Sequence, residues 1–88
     1  MRAILTTVGK DKIGIIAQVS KTLADEKINI LDVSQTLMAD NFVMTMMVNV
    51  PEDEDLVKLN DCLNKLGQKL NVEINLRNEE LFSAMHGL

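Results

Sequence analysis

The sequence has no tryptophan and no tyrosine, and its only aromatic residues are Phe42 and Phe82. That removes the stacking platforms on which single-stranded nucleic acids are held. Basic residues are also few: nine Lys and Arg stand against 13 Asp and Glu, for a net charge of -4. Binding to a nucleic-acid backbone needs the opposite balance, so no direct nucleic-acid partner is expected. A single cysteine, Cys62, cannot close an internal disulfide, which fits a reducing cytoplasm. The single histidine, His86, lies near the C-terminus, and no Ser/His/Asp or Cys/His arrangement can be built around it. No apolar run approaches the ~20 residues that span a bilayer, and residues Met1 to Leu5 lack the length and cleavage site of a signal peptide. No membrane partner is expected.

What remains is the composition of a folded domain, 47% hydrophobic and 25% charged. Eighty-eight residues make one domain. A chain this short buries little more than ~60% of its unfolded surface, so it is marginal alone and a homodimer is expected.

Arg2 to Val8 is short, apolar and β-branched, and it reads as a strand ending in the turn-like Gly9-Lys10-Asp11-Lys12. From Ile13 to Lys27 the period is helical, with Ile16, Val19 and Leu23 on one face and Asp11 as the expected N-cap. Ile28 to Met38 reads as a second strand, with less clean alternation. A three-residue turn, Ala39-Asp40-Asn41, leads to a third strand whose Phe42, Met44, Met46, Val48 and Val50 share one face. Pro51 ends it, and the acidic residues 52 to 55 sit where a helix dipole favours them. Leu56, Leu59, Leu63, Leu66 and Leu70 then mark a second helix, which Gly67 is expected to weaken only slightly. Leu70, Val72, Ile74 and Leu76 alternate as a fourth strand. Residues 78 to 88 read as a tail helix, capped by Asn78 and striped by Leu81, Phe82, Met85 and Leu88.

The order strand-helix-strand-strand-helix-strand is that of the α+β, ferredoxin-like βαββαβ fold. It predicts a four-stranded antiparallel sheet, order 4-1-3-2, with both long helices on one face. The other face would show Val43, Thr45 and Met47 from strand three and polar groups from strand four. The tail stripe or a second subunit could cover it.

The same fold hosts unrelated activities, so the residues must choose among them. The first loop has no paired thiolates for a soft metal. The central strands carry no aromatic residue on the open face for RNA. The acidic run at residues 52 to 55 lacks the spacing and turn glycine of a calcium loop. No catalytic residue, metal ligand or cofactor is therefore expected.

One segment could bind something. Between strand one and helix one, Gly9 and Gly14 flank a charged trio, Lys10-Asp11-Lys12. Free amides at the helix N-terminus suit a carboxylate, and Lys10 or Lys12 could add charge. Asp11 could meet an ammonium group instead. Asn29, opening strand two, offers both a donor and an acceptor to a small zwitterion. A purely structural account is also open: Asp11 as helix cap, Asn29 at the helix C-terminus, and solvated lysines.

Val8-Gly9-Lys10-Asp11-Lys12-x-Gly14-Ile15-Ile16-Ala17, then Val19-Ser20, Asn29-Ile30-x-Asp32 and Gln35, resembles the ACT domain. These are small βαββαβ regulatory modules common in amino-acid metabolism. Over its whole length the chain is similar to a bacterial and archaeal family of free-standing single-ACT-domain proteins. It also resembles the ACT modules of the glycine cleavage system transcriptional repressor. The resemblance implies an ACT domain over residues 1–77 with a tail over residues 78–88. It implies an amino-acid site between two subunits, with Gly9, Asp11 and Gly14 in the binding loop and Asn29 reaching the ligand across the interface. Lys10 would add charge, and Ile15 and Ile30 would help wall the site. The chain is then a non-enzymatic sensor of an amino acid or related metabolite, acting in trans on another protein. The alternative is an interaction module without small-molecule binding.

Overall fold

A computed structural model of the chain describes residues 1–10 and 14–79. The expected tail helix therefore lies almost wholly outside the described residues. The elements run β1 (Arg2–Lys10), α1 (Ile15–Asp25), β2 (Asn29–Met38), β3 (Asn41–Asn49), α2 (Leu56–Leu70) and β4 (Val72–Asn78). The four strands form one sheet, order β2-β3-β1-β4, with every pairing antiparallel. That is the expected order, read from the other edge.

Alternation sets the faces. Ala3, Leu5 and Thr7 of β1 lie on the same face as Phe42, Met44, Met46 and Val48 of β3, and all seven are buried. Ile74 and Leu76 of β4 extend that face. Val19 and Leu23 of α1 and Leu59 and Leu63 of α2 pack into the same cluster. The leucine stripe of α2 works as its spacing predicts.

The ends of the elements depart from the expected ones, each for a local reason. The N-cap of α1 is Gly14, not Asp11, and no side chain among the described residues caps it. Gly14 sits at φ 93, a left-handed conformation that glycine adopts without strain. It therefore stands at the edge of the helix and not inside its first turn. At the other end α1 stops at Asp25, two residues early, because Lys27 turns left-handed at φ 60. The Ile28 amide then folds back to the Leu23 carbonyl at 2.9 Å.

Asp55 is the acidic residue that caps α2. Its carboxylate accepts from the Val57 and Lys58 amides at 3.0 and 3.3 Å. Leu70 belongs to α2 and not to the last strand, because Asn71 takes the left-handed C-cap position at φ 59. Asn78, expected to cap the tail, is the last residue of β4 and pairs with Ala3.

The hairpin turn is two residues long, since Asn41 already pairs with Met38. Ala39 carries its positive φ of 55 without the glycine or asparagine that usually fills such a turn. Ala39→Gly is expected to stabilise the domain by about 0.5–1 kcal/mol, as the relief of left-handed alanine outweighs the added freedom of the unfolded chain. A rise in melting temperature on calorimetry checks this.

Candidate functional site

The candidate residues fall at two ends of the sheet. Gly9 and Lys10 close β1, opposite Phe42 and Asn41 of β3. Gly14 follows, at the head of α1. Asn29 opens β2 opposite Asn49, which in turn faces Arg2 at the other end of β1. Arg2 and Gly9 are seven residue steps apart, so Asn29 and the loop end lie about 24 Å apart along the sheet. Within one chain they do not meet.

At the loop end the chemistry is as follows. Lys10 is exposed. Among the described residues no side chain accepts from the first amides of α1. Gly9 has a structural duty of its own. A Cβ there would lie 2.5 Å from Val72 Cγ1 on the adjacent strand, so close packing against β4 requires glycine. Ile15 is 2% exposed and belongs to the core, so only its backbone amide faces the head of the helix. Ile30 is half-buried against the same core. Asp11 lies outside the described residues.

Beside the loop end is a feature the sequence reading passed over. An open cleft of about 310 Å³ is lined by Gln35, Thr36, Leu37 and Phe42. Phe42 is the direct strand partner of Gly9, so the cleft adjoins the end of β1. Gln35 and Leu37 share the helix side of β2 with Val33, through their partners Met44, Phe42 and Met46. Gln35 supplies an amide with donor and acceptor, and Leu37 and Phe42 supply apolar walls. Alternation along β2 was the signal that could have joined Gln35 to Phe42.

The β2 edge itself is unguarded. Over ten residues it has no lysine and no proline, and Asp32 is its sole charged residue. Leu31, Val33 and Leu37 are three of the six large apolar side chains exposed among the described residues. A register shift between Ile30 and Asp32 is its one irregularity. Strand edges usually carry more protection than this. Among the described residues no group of acidic, His or Cys side chains could hold a metal ion, and no helix is long and apolar enough to cross a membrane.

Known proteins are similar to this chain in sequence and shape. The ACT-domain model matches residues 2–77. A UPF0237 protein of Listeria innocua is 45% identical over 100% of both chains. The solved ACT domain protein from Streptococcus pneumoniae is 43% identical, covers 98% of each chain and superposes with a TM-score of 0.86. A crystal structure assigned as a glycine cleavage system transcriptional repressor shares the fold, with a TM-score of 0.78 at 20% identity. It covers 88% of this chain and 47% of that one. The chain thus belongs to the ACT-domain family, generally regulatory ligand-binding modules for amino acids, and within it to the UPF0237 proteins.

Proposed function

We propose that the chain is a non-catalytic cytoplasmic sensor that binds an amino acid or related small metabolite between two copies of itself and signals to another protein. The separation of Asn29 from the loop end carries this reading. A second copy, laid antiparallel along the free β2 edge, brings its own Asn29 to the end where the first copy has Lys10 and Gly14. The exposed apolar residues of β2 favour that pairing.

In such a site the ligand carboxylate meets the free amides of α1, with Lys10 adding charge. Asp11 takes the ammonium group, and the partner's Asn29 closes the site. The cleft at Gln35, Leu37 and Phe42 receives a side chain. Occupancy reaches another protein only if that protein binds the filled and empty states with different affinity.

Calorimetric melting of the protein against each of the twenty amino acids tests this. Free ligand at ten times its dissociation constant adds about 1.4 kcal/mol. For a domain of this size that amounts to several degrees. One selective rise, lost in Asn29→Ala and in Lys10→Ala, is the expected result. A flat panel with a persisting homodimer favours the interaction-module reading.

A further inference from the structure

At the end of the sheet away from Lys10 and Gly14, strong hydrogen-bond donors are left with weak acceptors. Alternation puts Arg2 of β1 on the face turned away from the helices, opposite Asn49 of β3, which stands opposite Asn29 of β2. The Arg2 guanidinium has its Nε 3.3 Å from a Glu79 carboxylate oxygen. Its Nη2 donates to Met47 Sδ at 2.8 Å, and a thioether sulfur is a weak acceptor. Its Nη1 donates to nothing among the described residues. Asn78 Nδ2 donates to another thioether, Met1 Sδ, at 3.6 Å. The exposed Asn49 side chain has no partner among the described residues. Met1, Arg2, Asn49, Asn78 and Glu79 together line one open cleft of about 390 Å³, a size that suits a small molecule.

These groups narrow the choice of ligand. A guanidinium with unspent N–H groups takes a carboxylate or a phosphate in the plane of its fork. The Asn49 amide, on the neighbouring strand with its Cβ about 5 Å from that of Arg2, adds a further donor. Glu79 decides between the two anions. Its carboxylate repels the double charge of a phosphate and suits an ammonium group held beside a carboxylate. Glu79 Oε1 accepts from nothing among the described residues. An α-amino acid carries both charges on neighbouring carbon atoms, which matches the adjacent Arg2 and Glu79. Their ion pair is partly exposed, so loosening it to admit a ligand costs little. The flexible thioether of Met1 can pack against a short apolar side chain.

We propose that this cleft is a second amino-acid site, contained within one chain: Arg2 and Asn49 hold the carboxylate, and Glu79 holds the ammonium group. It goes beyond the interface reading and does not depend on a second copy. Arg2 lies two strands in from the β2 edge, about 10 Å, so a ligand here does not need that edge to be paired.

Titration of the isotope-labelled full chain with each of the twenty amino acids, followed by NMR, tests it, with circular dichroism to verify the fold of each variant. The signals of Arg2 Nε and of the Asn49 side-chain amide are expected to shift and saturate with at least one amino acid. The amide derivative of that amino acid, which lacks the carboxylate, and inorganic phosphate are expected to leave them unmoved. Arg2→Gln should weaken binding by roughly tenfold or more. Arg2→Lys, which keeps the charge but not the fork, should restore little of it. A panel in which neither signal moves overturns the proposal. So do shifts that survive undiminished in a folded Arg2→Gln variant, or that phosphate produces and no amino acid does. The backbone amides of Gly14 and Ile15 read the interface site separately. Shifts there that vanish in Lys10→Ala, with none at Arg2 and Asn49, uphold that site and sink this one; the reverse upholds this site alone.

Discussion

Gly67→Ala is expected to destabilise the domain by about 2–3 kcal/mol, although alanine is the better helix former by about 1 kcal/mol. Gly67 lies in α2, three residues from its end, and is buried where that helix crosses β4. A Cβ added there would stand 2.7 Å from the Val72 carbonyl oxygen and 3.4 Å from Ile74 Cγ1. The nearer atom is backbone, held in a ladder with Gly9, so it cannot swing aside as a flexible side chain would. The helix must lift off the sheet, loosening Leu63 and Leu59 with it. For a domain of this size the loss lowers the melting temperature by roughly 8–24 °C. A neutral or stabilising result would mean that α2 and β4 are not in contact at this position.

The second large effect has the opposite sign. Thr7 is fully buried, and its hydroxyl has no hydrogen-bond partner among the described residues. It sits in the middle of the sheet on the core side, between Met44 and Ile74. An unmade bond of this kind costs roughly 1–3 kcal/mol. Valine has the same shape and the same preference for strands, without the stranded hydroxyl. Thr7→Val is therefore expected to stabilise the domain by about 1–2 kcal/mol, measured as a shift of the denaturation midpoint at constant m-value. A loss of stability instead would show that the hydroxyl has a partner in solution, such as a buried water.

The parts of the fold legible in the sequence were those with one buried and one solvated face. The Leu56-to-Leu70 stripe and the alternation of β3 left no choice of element. β2 was less distinct because it is an edge strand: both its faces reach solvent, so burial does not sort its residues. The element ends were misjudged wherever a non-glycine residue turns left-handed, at Lys27, Ala39 and Asn71. Such a turn is fixed by what the flanking elements need, and the residue itself gives little sign. The close approach at Gly67 was not legible because the sequence shows its helix but not the strand beneath. As for the candidate site, the motif pointed to the loop and Asn29, and their separation was already implied by topology. In a βαββαβ sheet the first and second strands start at the same end, so a residue opening β2 lies far from one closing β1. The cleft at Gln35 and Phe42 needed the register itself.

The central place of β1 also bears on how the protein is made. Its nine residues pair with β3 on one side, and Ala3 to Gly9 pair with β4 on the other. Lys10 leaves the ribosome early, yet the second partner of β1 is complete only with Asn78. At ~5–20 residues per second, that wait lasts roughly 3–14 s. Through it, the nascent chain holds an apolar strand with one edge unfilled. The hairpin of β2 and β3 can form meanwhile and occupy the first edge. The second stays exposed until synthesis reaches the end of β4, so this sheet closes from the C-terminal side and only after most of the chain exists.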